Sequence, residues 1–156
     1  MRKILIRAAG AAALLTALTL TACGGGKPTV SFDLTGNDQM KYSQTRLETS
    51  APMTITINFE NVGKMPKTAM GHNVVVLKPG TDPVAFSAKC LENGGSLENN
   101  HLPEAVMGDV VASTKLLGPG EKDSLTFTAE AAATYPYVCT FTAHAAAGMK
   151  GEIVVK

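Results

Sequence analysis

Between Met53 and Glu60 the chain alternates strictly. Met53, Ile55, Ile57 and Phe59 are apolar, while Thr54, Thr56, Asn58 and Glu60 are polar. A period of two, with β-branched residues on both faces, specifies a strand with one face on a core and the other in water. No helix can present that pattern on one face, so the surrounding chain has to supply a sheet. Other segments agree. Thr29 to Leu34, Leu125 to Thr128, Tyr135 to Cys139 and Gly151 to Lys156 read as strands. Val110 to Ser113 and Lys115 to Leu117 read as shorter strand pieces, and the continuous apolar run Val74 to Leu77 as a strand buried on both faces. Turn residues separate them at 36–38, 61–66, 78–83 and 118–123. Short strands at this spacing imply an all-β fold, an antiparallel β-sandwich or barrel with Greek-key connections. The stretch from Val84 to Met107 departs from the pattern. Ala85, Phe86, Ala88 and Leu91 favour helix, Asp82 with Pro83 suits its start, and Asn93, Gly94 and Gly95 stop it. It is expected to form a flap of one or two short helices outside the sheets.

The first 22 residues read as a targeting segment. Arg2, Lys3 and Arg7 precede an apolar stretch, Ala8 to Leu20, that is too short to span a bilayer. It ends in Leu20, Thr21, Ala22 and Cys23, which resembles a bacterial lipobox. That resemblance implies cleavage before Cys23, acylation of Cys23 and attachment to a membrane. Residues 23–28 then read as a tether, and 29–156 as one domain facing the periplasm. Gly24 after the lipidated Cys23 points to the outer membrane of a Gram-negative bacterium. Once the leader is gone the net charge is slightly negative, with no basic run and few aromatic residues, which excludes a nucleic-acid binder. Cys90 and Cys139 remain. They can pair, or Cys139 can stay free as a ligand and leave Cys90 as a single thiol, read here as inert.

Cys139 belongs to a cluster of donors. Cys139, His144 and Met149 offer a thiolate, an imidazole and a thioether within one loop, and His72 stands far upstream, just before the Val74 run. Two His, one Cys and one weak Met donor suit a type 1 copper ion that alternates between Cu(I) and Cu(II). The Gly71 carbonyl is a candidate for a distant axial contact, because glycine admits close backbone approach. Asn73 can hold the ligand loop through its backbone, and N–H groups near Phe141 can donate to the Cys139 sulfur. Met70, Pro66, Ala143 and Ala145 to Ala147 can form an apolar docking patch around an exposed edge of His144. His101 reads as an exposed flap residue. Each donor alone is more often a core or surface residue than a ligand, but their conjunction is not. A thiol hydrolase lacks a third orienting group here. Structural zinc prefers further Cys or His over Met.

At these residues the chain resembles azurins, members of the cupredoxin or blue copper family. The likeness is carried by Gly36 to Met40, Pro66 and Lys67, Met70 to Asn73, Thr114 to Gly118, Gly120 to Ser124, Cys139 to Phe141 and Met149 to Gly151. It implies an eight-stranded Greek-key sandwich with a helical flap, and one copper held by Gly71, His72, Cys139, His144 and Met149. It further implies a one-electron carrier, not an enzyme, that exchanges electrons with a cytochrome, reductase or oxidase. With the lipobox, the chain looks like a lipid-modified member of that family. Three departures stand out. Val30 and Pro52 fall where the family's disulfide cysteines lie, which removes a crosslink worth roughly 2–4 kcal/mol. There is no Trp, and Val74 or a neighbour takes the indole's place. Four residues, Ala145 to Gly148, separate His144 from Met149 where azurins have three. Copper buffering or delivery is the competing reading of the same donors. An adhesion sandwich with an incidental metal is a third.

Overall fold

The computed structural model describes residues 26–156. The leader and Cys23 lie outside the described residues. Nine strands among the described residues form two packed sheets. The first is ordered β2-β1-β4-β7, from Lys41–Tyr42, Thr29–Asn37, Met53–Asn61 and Lys122–Ala129. The second is ordered β3-β9-β8-β5-β6, from Arg46–Thr49, Lys150–Val155, Ala133–Val138, Val75–Leu77 and Val110–Ser113. The sandwich is therefore the expected one, and its strand segments number nine because two-residue β2 stands apart from β3. Neither sheet closes into a barrel.

The pairing is mixed rather than purely antiparallel. β1 runs parallel to β4, from Thr29 beside Thr54 to Gly36 beside Asn61, and β3 runs parallel to β9. The cause is a sheet switch. β2 pairs in the first sheet and β3 in the second, so the chain changes sheets at residues 43–45 before β4 returns beside β1. Period-two alternation reports which face is buried but not strand direction, which is why the sequence did not show this.

On β4 the expected faces hold. Ile55, Ile57 and Phe59 are buried between the sheets. Outward, Thr54 pairs with the Thr128 hydroxyl at 3.3 Å and Thr56 with Thr126 at 2.9 Å. The continuous run at β5 is explained by two cores. Val74 and Val76 face the sandwich, while Val75 and Leu77 face the flap with Phe86, Cys90 and Val106. The flap consists of helix α2, Pro83–Glu92, and a 3₁₀ helix, Glu104–Asp109. Asp82 caps α2, its carboxylate accepting from the Val84 and Ala85 N–H groups at 2.9 and 2.8 Å. Cys90 lies fully buried on the inner side of α2, unpaired with Cys139. Lys115 to Leu117 is not a strand, since only Leu117 pairs there, in an isolated bridge with His72. No helix among the described residues is long and apolar enough to cross a membrane.

The face assignment predicts a contrast. Ile57→Ala is expected to cost about 2–5 kcal/mol in denaturant unfolding, and Thr56→Ala under ~1 kcal/mol. Equal costs would contradict it.

Candidate metal centre

His72 is fixed by its backbone. Its N–H donates to the Leu117 carbonyl at 3.0 Å, and the Leu117 N–H donates back at 2.7 Å. The Asn61 side-chain amide donates to the same Leu117 carbonyl at 2.9 Å, which ties the bridge to the end of β4. A short helix, α1, spanning Lys67–Met70, delivers the chain to Gly71. A Cβ on Gly71 would stand 2.7 Å from the Lys67 carbonyl oxygen and 2.9 Å from Leu116, so only glycine fits. Packing thus demands Gly71 independently of any role for its carbonyl.

Cys139 follows the end of β8, and His144 lies in the loop beyond. The Cys139 N–H donates to the Met149 carbonyl at 3.1 Å, closing the loop at its base. Within it the Gly148 N–H reaches the Ala145 carbonyl at 3.0 Å and the Met149 N–H the His144 carbonyl at 2.9 Å. Gly148 has φ +98°. That pair of bonds around a left-handed glycine is a Schellman closure of one helical turn. Lys41 donates to the Ala147 carbonyl at 2.6 Å and caps the turn. The turn returns Met149 to the core, fully buried, with its methyl group against Gly36 of β1.

Asn73 joins the two halves. Its side-chain oxygen accepts from the Thr140 N–H at 2.9 Å, and its amide donates to the Thr140 hydroxyl at 2.7 Å and the Asn100 carbonyl at 2.9 Å. The Tyr42 hydroxyl donates to the Asn73 carbonyl at 2.6 Å. Sequence reasoning named Asn73 but missed Asn100, Thr140 and Tyr42. The polar Thr140 inside a β-rich run was the available signal.

The result is a closed triangle of donors. Nδ1 of His72 and Nδ1 of His144 are 3.2 Å apart, and the Cys139 sulfur is 3.4 Å from His144 and 4.0 Å from His72. A point equidistant from those corners lies about 2 Å from each, close to a metal–nitrogen bond length. All three residues are buried, His144 at 2% exposure. The expected exposed His144 edge is therefore covered, and the His72 and Phe141 rings pack against it at 4.9 and 4.6 Å between centroids. His101 also differs from expectation. It is half-buried, and its ring stacks on Phe141.

Burial keeps the centre uncharged. It pushes the Cys139 thiol up to about 12, against the pull of N–H groups from Asn73 and Phe141 on the sulfur. His144 falls to about 4, through burial first and then the nearby His72 and His101. Burial also lowers His72, opposed by the Asn37 carbonyl and Asp38. Although that carbonyl acts on the ring, His72 Nε2 makes no hydrogen bond of good geometry. Two neutral imidazoles and a thiol, aimed at one another with no carboxylate among them, form a soft donor set that fits copper better than magnesium or calcium.

Comparison with known proteins agrees. The model of the copper binding proteins of the plastocyanin/azurin family matches residues 28–156. Azurin from Pseudomonas denitrificans is 37% identical over 132 residues, covering 81% of this chain and 98% of that one. Auracyanin from Roseiflexus castenholzii has a similar structure, with a TM-score of 0.71, 30% identity and coverage of 83% of this chain and 98% of its own. An azurin from Methylomonas sp. strain J aligns with a TM-score of 0.66 and 30% identity, over 81% of this chain and 97% of its own. With its sandwich and its buried Cys and His donors, the chain belongs to the plastocyanin/azurin family of copper binding proteins.

Proposed function

We propose that this protein is a one-electron carrier whose copper is held by His72, Cys139 and His144. Met149 would add a weak thioether donor, and the Gly71 carbonyl would be a further candidate contact. The observation that carries the reading is the buried triangle of donor atoms. When bound, the copper ion supplies a reversible Cu(I)/Cu(II) couple. The chain does the rest. Cys139 would give up its proton to bind as thiolate, a form that the Asn73 and Phe141 N–H groups favour. Asn73 fixes the spacing between the His72 and Cys139 segments, so the donors need little rearrangement when charge arrives. Burial of every donor favours a resident ion over the exchangeable one that copper delivery needs. No substrate bond is made or broken, so the protein is a carrier rather than an enzyme.

Partners in this reading are redox proteins, a cytochrome or a reductase or oxidase. Ala143, Ala146 and Ala147 are exposed on the outer side of the ligand turn, with Met70 half-buried. They offer a small apolar patch for docking. We further propose that acyl chains on Cys23 tether the domain to the outer membrane, facing the periplasm. The short apolar leader and the small residues before Cys23 support that placement.

Three outcomes are expected. The copper(II)-loaded protein shows an intense visible thiolate-to-copper band that Cys139→Ser abolishes, and a colourless wild-type copper(II) protein would refute the assignment. Asn73→Leu strands the Thr140 N–H and the Asn100 carbonyl. It is expected to lower apo-protein stability by about 1–3 kcal/mol in urea unfolding and to shift the reduction potential in redox titration. Finally, Cys23→Ser moves the protein from the membrane pellet to the soluble fraction of fractionated cells, whereas unchanged pelleting would exclude the lipid tether.

A further inference from the structure

The centre is deeply covered, yet one run of packed aromatic rings leaves it. The Phe141 ring lies 4.6 Å from the His144 ring between centroids, tilted by 32°. The His101 ring lies 4.6 Å beyond, tilted by 45°. His144 is 2% exposed, Phe141 is half-buried, and His101 reaches partial exposure on the flap. The three rings thus form a continuous stack from donor to surface.

The backbone beneath His101 is costly. Asn100 and His101 have φ of +57° and +55°, two consecutive non-glycine residues in the left-handed region. They are held there by several bonds. The His101 N–H donates to the Ser96 carbonyl at 2.7 Å, and the Asn100 side chain accepts from the Leu116 N–H at 3.0 Å. The Asn100 carbonyl accepts from Asn73 at 2.9 Å. Strain maintained by so many partners marks a turn whose side-chain placement matters. What it places is one ring on Phe141.

We infer that electrons enter and leave this centre through the His144, Phe141 and His101 rings, with His101 as the contact point for the partner. The inference rests on the electron-carrier reading. Electron transfer falls off steeply with distance, and the three rings link the buried donor to the surface in two ring-to-ring steps of 4.6 Å between centroids. The step is a single electron passing from the reduced centre to a one-electron acceptor, with no bond formed or broken and no proton moved. Leu97 and Met107, 39% and 40% exposed on the same flap, together with the exposed Glu98 carboxylate near His101, suit an acceptor whose docking surface is apolar with a positive charge.

The test compares His101→Asn, which tolerates the left-handed backbone but lacks the ring, with His101→Phe, which restores a ring. Oxidation of the reduced copper protein by tris(phenanthroline)cobalt(III) is followed by stopped flow. The visible spectrum and reduction potential of each variant are recorded alongside. The expected result is a rate about tenfold lower in His101→Asn, near wild type in His101→Phe, with spectrum and potential unmoved in both. In the apo-protein, diethyl pyrocarbonate is expected to modify His101 well before His72 and His144, read by peptide mass mapping. A wild-type rate in His101→Asn, or a His101 no more reactive than the buried pair, overturns this inference alone. A wild-type protein without a reversible copper couple overturns the electron-carrier reading, and this inference with it.

Discussion

One buried amide holds the architecture of the centre together. Asn73 is fully buried, and both of its amide hydrogens and its oxygen find partners. Those partners come from the Cys139 segment and from the flap, while Asn73 itself adjoins His72. In a low-dielectric interior each such bond is stronger than in water, and each broken one is expensive. The three segments can therefore move apart only by stranding several polar groups at once. The distance between the first imidazole and the thiol is set by this crosslink more than by either strand. Tyr42 adds a fourth tie through the Asn73 carbonyl, linking the crosslink to β2 in the other sheet.

Rigidity of this kind matters because the centre is dry. Two neutral imidazoles and a protonated thiol face each other without a counter-ion, and a cation entering them displaces one proton, from the sulfur. The surrounding N–H groups already point at that sulfur, so the charge it gains meets dipoles that need not turn. Water would reorient around such a change, whereas a packed interior does not. The same packing explains why the donors sit on separate segments. A loop carrying all of them would bend with its own flexibility, while His72, bridged to Leu117 and through it to Asn61, inherits the stiffness of β4.

The sequence made some of this legible and hid the rest for physical reasons. The alternation on β4 and the Asp82 cap of α2 depend on near neighbours, so they could be read directly. The sheet switch between β2 and β3 could not, because alternation is blind to direction and partner. Asn73 was readable as a linker from its place beside His72, but its partners Asn100 and Thr140 lie 27 and 67 residues away. The burial of His144 and the stacking of His101 on Phe141 depend on how two loops fold over each other. No local pattern encodes that.

The ligand turn shows how a four-residue spacing can be closed around the donors. With Ala145 to Gly148 between His144 and Met149, an extended loop would push Met149 outward. Instead the segment is wound into a helical turn, and Gly148, in a conformation other residues adopt only with strain, reverses it. The closing bond then runs from the Met149 N–H to the carbonyl of His144 itself. The backbone of one candidate ligand is thereby fastened to that of another, and the Cys139 N–H bond to the Met149 carbonyl fastens the third. The turn consequently leaves the alanines at 143, 146 and 147 on the outer surface while its backbone bonds fix the donors' segments to one another.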